Sequence, residues 1–272
     1  MAIHPTAVIA PGARIGADVE IGPYAVIDDH CAIGDGCWID AHVKIAEYTT
    51  LGAGCRVYYG ALIGTEPQDH RFRPGVVSHT CIGCRTTLRE YVTIHRSPFE
   101  NAVTSVGDDT LLMAFVHLGH DCKIGSRVTI ANQTAISGHV EIEDGAVLSG
   151  YILIHQFCRI GSLAMIGGRT IVTQDVPPYC MLAENCRVCG PNVIGLRRAG
   201  YDAAARLAIR KAIKTYFFRG LNGGNALREI EAGEMTPEVR HFVEFIHASS
   251  RGIMAGESEL AGFPDDEELS HS

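Results

Sequence analysis

An aliphatic residue returns at every sixth position from the start of the chain: Ile3, Ile9, Ile15, Ile21, Ile27, Ile33, Ile39, Ile45, Leu51, Val57 and Ile63. Neither the helical period nor the two-residue period of a half-buried strand gives that spacing; one short strand plus one turn does. Four residues after each aliphatic comes a smaller side chain: Ala7, Ala13, Val19, Ala25, Cys31, Cys37, Val43, Thr49, Cys55 and Ala61. Glycine often follows the aliphatic, as at Gly16, Gly22, Gly34 and Gly52, and reads as the residue that permits the bend. The pattern predicts a mainly β chain folded as a parallel β-helix. Three hexads make one coil of 18 residues, and stacked coils bury an aliphatic column that no single coil could bury alone.

The rhythm breaks twice. Residues 64–75, GTEPQDHRFRPG, are polar and bounded by glycines, and the phase is expected to resume one residue late at Val76. After Ile82, Leu88 and Ile94 comes a second excursion, residues 95–105, with Pro98 unsuited to a ladder interior. Loops that interrupt a rigid repeat are commonly functional. A third run extends from Val106 to Val172 without a phase error, and the Asp175-Val176-Pro177-Pro178 stretch is expected to end it.

Beyond about residue 190 the period becomes helical. A short helix is expected near Asn192 to Ala199, and a longer one capped by Asp202 running to Phe218 before Gly220. Asn225 is expected to cap a third, and Thr236-Pro237 to open a fourth that continues to about Ser250. The expected division is a β-helix over 1–190, a helical domain over 191–255 closing the column, and an acidic, disordered tail over 256–272.

Bulk properties narrow the function. Net charge is −8, but six acidic residues fall between Glu257 and Glu268, so the body is nearly balanced, which argues against a nucleic-acid binder. Apolar runs are far shorter than the roughly 18 residues that span a bilayer. The N-terminal stretch has no basic region followed by an apolar core, so a cytoplasmic protein is expected. Of ten cysteines, Cys31, Cys37, Cys55, Cys122 and Cys158 occupy the small-residue phase and read as reduced core residues. The pairs Cys81–Cys84 and Cys186–Cys189 have zinc-like spacing but lie far apart in ordinary repeat sequence, so packing is the better reading.

Histidines concentrate in the third run. His117 and His120 flank Leu118 and point outward near a coil corner; one coil beyond His120 is Gly138, beside His139; His155 and Gln156 follow nearly one coil later. Idle solvent histidines are the bland reading, and four in one stripe weigh against it. One imidazole could be a general base oriented by a carboxylate, with a backbone N–H from the Gly138 turn stabilising the oxyanion on a neighbouring coil. Alternatively, three imidazoles could hold a zinc whose water is the nucleophile, as in trimeric β-helix hydratases of the gamma carbonic anhydrase type. That reading leaves both loops and the helical domain without a role.

GTEPQDHRF in the first loop, VTIHR at 92–96, HLGHDC at 117–122, SGHV at 137–140, IHQFCRIG at 154–161, DVPPY at 175–179 and NVIGLRRAGY at 192–201 together resemble one family. It is that of the bacterial acyl-[acyl-carrier-protein]–UDP-N-acetylglucosamine O-acyltransferases, and the likeness spans nearly the whole chain in order. The resemblance implies a left-handed parallel β-helix, an exception to the right-handed crossover rule, assembled as a homotrimer with active sites between subunits. It implies transfer of an (R)-3-hydroxyacyl chain from acyl carrier protein to the 3-hydroxyl of UDP-N-acetylglucosamine, with no metal or cofactor because the thioester is already activated. By motif position His120 is the base, Asp121 its orienting group and Gly138 the oxyanion donor. Asp69, His117 and His139 would contact the acceptor sugar or diphosphate; His155, Gln156, Asn192 and Arg198 would hold the nucleotide or its phosphates; Gly168 would leave room for the acyl chain. Arg71 stands where the family has lysine, keeping the charge but not the contact geometry. Arg169 beside Gly168 is another departure and leaves chain length open. Arg206, Arg210, Lys211 and Lys214 give the long helix a basic face suited to an acidic carrier protein.

Overall fold

The computed structural model describes residues 2–257. Strands mostly two residues long form three sheets of eleven, nine and eight strands among the described residues, parallel and with neighbours three strands apart in sequence except at the last two strands of the first. This is a left-handed, three-sided parallel β-helix. Its coil is 18 residues, as Arg14↔Ala32 and Lys123↔Glu141 show.

The hexad aliphatics from Ile21 to Val172 line the axis, nearly all under 5% exposed, and the small-residue phase fills the space beside them. The first coil differs. Ile3 is 40% exposed and Ile9 and Ile15 are half-buried, because no described coil covers that end. The glycines after the aliphatics do not make the bend. The left-handed residue lies later in each turn and is often not glycine, as at Asp121 (φ 61°), His139 (φ 60°) and Phe157 (φ 65°). The glycine instead lets coils approach. A Cβ on Gly107 would lie 2.6 Å from the backbone of Gly125 and Ser126 on the next coil.

The first excursion occupies residues 66–78 rather than 64–75, since Leu62–Thr65 and His79–Ile82 are strands. Val76 lies in that loop and does not restart the column; Ile82 does, paired with Leu51. The second excursion is 96–102 rather than 95–105, between Thr93–His95 and Val103–Val106. Prolines 177 and 178 do not end the column. Cys180–Leu182 adds one more parallel strand to the first sheet, and Val188–Pro191 closes it antiparallel. The prolines follow the third sheet's last contact, the single bridge Ile160↔Val176, in the turn toward the first sheet.

Four helices follow: α1 (Val193–Arg198, capped by Asn192), α2 (Ala203–Phe218, capped by Asp202), α3 (Gly223–Glu231) and α4 (Pro237–His247, capped by Thr236). Asn222, not Asn225, caps α3: its side chain accepts the Asn225 N–H. The last helix stops at His247, short of Ser250. Ile209, Ile213, Phe242 and Val243 pack the helices together. After α4 the chain returns to the column through the bridges Asp175↔Ile253 and Val188↔Gly256. Most of the acidic tail, residues 258–272, lies outside the described residues. No described helix is long and apolar enough to cross a membrane.

Each edge of the prism has its own chemistry. Where the first sheet turns into the second, Tyr24, His42, Tyr59, Tyr91 and Phe115 form a ladder with ring centroids 5.1–5.6 Å apart. Between the third sheet and the first, Arg85–Asp109 and Arg127–Asp144 pairs face solvent. The turn from the second sheet to the third carries both loop excursions and the histidines. We call these the aromatic, charged and histidine edges.

Candidate active site

The 18-residue repeat stacks the histidine edge. His120 and Asp121 follow the strand His117–Leu118, and Gly138 and His139 follow Ala135–Ile136 one coil on. The His120 Nδ1 lies 2.7 Å from Asp121 Oδ2, and its Nε2 lies 3.3 Å from Asp69 Oδ2, contributed by the first loop. The side chains of His120, Asp121 and Asp69 are 15%, 11% and 12% exposed. The Asp121 N–H donates to Thr104 Oγ1 at 2.8 Å, fixing the carboxylate's backbone.

Gly138 lies against the His120 ring. A Cβ there would lie 2.8 Å from both Cε1 and Nε2, so glycine keeps the imidazole in place by its absent side chain. The His139 N–H donates to the His120 carbonyl and the Phe157 N–H to the Gly138 carbonyl, while the Gly138 N–H has no acceptor among the described residues. A free backbone donor beside an imidazole is what an oxyanion site requires.

The loops close over this edge. Arg71 holds Asp69 in a two-pronged pair, with Nε 3.0 Å from both carboxylate oxygens and Nη2 2.6 Å from Oδ2. The guanidinium keeps the Asp69 carboxyl well below the usual carboxylate range. Arg71 also stacks 4.9 Å over Phe99 of the second loop. Arg96 is nearly buried, donates to the Val76 carbonyl at 3.0 Å and lies 5.3 Å over Phe72, clamping the first loop down.

His117 bonds Thr93 Oγ1 through Nδ1 at 2.8 Å and meets His95 edge-on at 5.0 Å. Burial lowers the pKa of both, that of His95 to about 4, so both are neutral near pH 7. His95 was not among the residues expected from the sequence, although it lies in the VTIHR stretch. It follows a hexad aliphatic at the start of a loop, and only the coil stacking brings it beside His117. His139 stacks on Phe157 at 4.6 Å and meets His120 edge-on at 5.0 Å.

Other expected residues lie apart from this cluster. His155 and Gln156 are exposed on the histidine edge one coil further on. Gly168 lies on the aromatic edge, where a Cβ would meet only Gly150 O at 3.4 Å and Ser149 Cβ at 3.8 Å within 4 Å, so the position has room. Asn192 is nearly buried, accepting the Gly195 N–H and donating to the Leu163 carbonyl at 2.8 Å near the charged edge. In this chain it acts as a helix cap. Arg198 is exposed on α1.

Ligand atoms of His120, Asp121 and His139 lie within 4.8 Å of one another, the only such metal-competent group among the described residues. The CxxC pairs form none. The hydratase arrangement of three converging imidazoles is not what this edge presents, since His117 is turned to Thr93.

A column of hexapeptide coils bearing a carboxylate-oriented histidine and a free backbone donor on one edge defines a transferase of the hexapeptide-repeat class. Residues 30–65 and 104–138 match the bacterial transferase hexapeptide family, and residues 175–254 match the second domain of UDP-N-acetylglucosamine O-acyltransferase. A protein of Paraburkholderia phymatum named acyl-[acyl-carrier-protein]–UDP-N-acetylglucosamine O-acyltransferase is 40% identical over 93% of this chain and 98% of its own length. One of that name from Gloeothece citriformis is 43% identical over 76% of this chain and 75% of its own. The solved structure of the Acinetobacter baumannii enzyme superposes with a TM-score of 0.89 at 35% identity, covering 93% of this chain and all of that one. The chain belongs to the acyl-[acyl-carrier-protein]–UDP-N-acetylglucosamine O-acyltransferase family.

Proposed function

We propose that this chain transfers an (R)-3-hydroxyacyl group from an acyl-carrier-protein thioester to the 3-hydroxyl of UDP-N-acetylglucosamine, the first step of lipid A biosynthesis, in the cytoplasm. The observation that carries the mechanism is the placement of His120 between Asp121 on Nδ1 and the Asp69 side on Nε2, against a glycine whose N–H has no acceptor among the described residues. Asp121 holds the ring proton on Nδ1, which leaves the Nε2 lone pair to take the proton of the 3-hydroxyl. The sugar oxygen attacks the thioester carbonyl carbon, and the Gly138 N–H stabilises the resulting oxyanion. Collapse breaks the carbon–sulfur bond, and the carrier thiolate leaves with the proton from His120 Nε2. Asp69 lies where the acceptor must enter, so its carboxylate passes from His120 to a sugar hydroxyl on binding. His117 and His139, both neutral, then serve as hydrogen-bonding groups for the sugar or diphosphate.

The working unit is a homotrimer with shared sites. One prism face of six residues, up to about 20 Å, separates Gly168 on the aromatic edge from the histidine edge, and Arg198 stands on α1, outside the column. A neighbouring copy brings them within reach. The exposed apolar groups of the second sheet, Leu153 at 51% and Ile171 at 53%, and of the aromatic edge, Tyr151 at 61%, supply the surface for that contact. The basic residues of α2 offer the acidic carrier protein its approach.

The test is direct. Purified protein incubated with (R)-3-hydroxyacyl-carrier-protein and UDP-N-acetylglucosamine should release the carrier thiol and form one equivalent of 3-O-acyl nucleotide sugar. Thioester loss without sugar ester, or acylation of the 3-amino analogue alone, would overturn the reading.

A further inference from the structure

The His139 Nε2 is buried and has no hydrogen-bond partner, an uncommon state for a ring nitrogen beside a carboxylate. It lies 3.7 Å from Asp121 Oδ2, too far for a hydrogen bond, and stacking on Phe157 fixes its direction. On its other side Asp121 Oδ2 lies 2.7 Å from His120 Nδ1. Two imidazole nitrogens and one carboxylate oxygen thus surround one point, with their ligand atoms within 4.8 Å of one another. Ligands of a tetrahedral zinc stand about 3.3 Å apart. The separations of 2.7 and 3.7 Å bracket that value and all three atoms lie within 4.8 Å of one another, so side-chain rotation would draw them onto one ion.

We propose that His120, Asp121 and His139 form an inhibitory site for a borderline divalent cation of the zinc class. It lies behind the catalytic nitrogen and outside the acyl-transfer cycle. The consequence follows from the tautomer. In the active form the single ring proton of His120 is on Nδ1 and the Nε2 lone pair is the base. A cation bound at Nδ1 takes that lone pair and places the ring proton on Nε2, so the nitrogen facing the acceptor becomes a donor and cannot accept the hydroxyl proton. The cation needs no redox partner and forms no covalent product. The Asp69 carboxylate, 3.3 Å from Nε2, then receives the relocated proton as a hydrogen bond and adds negative charge near the ion. Imidazole and carboxylate ligands favour zinc and its neighbours over magnesium or calcium, which prefer oxygen alone.

The inference rests on the base assignment for its effect on turnover, but the binding itself does not. Full-length protein freed of metal is titrated calorimetrically with Zn²⁺ alone, and with Co²⁺ under visible spectroscopy. One ion per chain is expected, with no thiolate-to-metal charge-transfer band and at least about a hundredfold weaker binding in both His139→Ala and Asp121→Asn. In the wild type the ion should depress kcat at saturating nucleotide sugar, and chelation should reverse it. Absence of binding, a thiolate band, or binding unchanged in both variants would overturn the site. Binding at the site with full activity retained would overturn the tautomer argument. Binding in a chain with no acyltransferase activity would overturn the proposed function and leave the metal site standing.

Discussion

Replacing His120 by alanine is expected to lower kcat more than about a hundredfold, the range lost with a general base. The side chain is 15% exposed, sits on an edge rather than in the axis, and touches Asp121, Asp69, His139 and Gly138. None of these belongs to the aliphatic column, so the thermal transition should be close to that of the wild type. Because the ring acts on a proton in flight, kcat and kcat/KM should fall together. Turnover near that of the wild type would remove His120 from the chemistry. A fall in kcat/KM with kcat preserved would make it a binding group only.

The second large effect concerns the column. Leu118→Ala empties a fully buried position between His117 and Gly119 and should cost about 2–5 kcal/mol of unfolding free energy. Ile3→Ala changes the same phase of the same repeat, yet Ile3 is 40% exposed at the uncovered end, and its loss should cost under about 1 kcal/mol. Chemical denaturation of the two variants checks the contrast. Equal costs would mean that the first coil is covered in solution, or that the column does not carry the stability.

That contrast marks what the repeat revealed and what it hid. Six-residue spacing was enough to place the aliphatics on an axis and to set Gly138 one coil from His120, because both depend only on counting along a regular coil. It could not reveal that the first coil is half bare, since nothing in the hexad distinguishes an end from a middle. The Val76 register failed for a related reason. Ile82 follows Ile63 by 19 positions, which is not a multiple of six, so the insertion shifts the phase within the loop instead of at its end. The glycines following the aliphatics suit a bend by sequence alone, but contacts between coils explain them, and those exist only once the coils are stacked.

At the site, the His120–Asp121 pair was legible because its members are adjacent in sequence. The approach of Asp69 to Nε2 was not, because loop closure depends on Arg71 lying over Phe99 and on Arg96 gripping Val76, contacts made across 20 or more residues. Asn192 is the opposite case. A polar residue ahead of a helix signals a cap as well as a ligand, and in the structure its side chain is spent on Gly195 and Leu163.

Under the proposed function, the histidine edge of one copy works with groups carried by another. Mixed oligomers test it most directly. On the proposed roles, His120→Ala removes the base and Arg198→Glu sets a like charge beside the nucleotide diphosphate, so each variant alone should be nearly inactive. Unfolded together and reassembled at equal amounts, they should recover about one quarter of wild-type acyl transfer, the share of interfaces in which both contributing halves are intact. Recovery no greater than the mean of the two separate variants would place the whole site within a single chain and contradict the account.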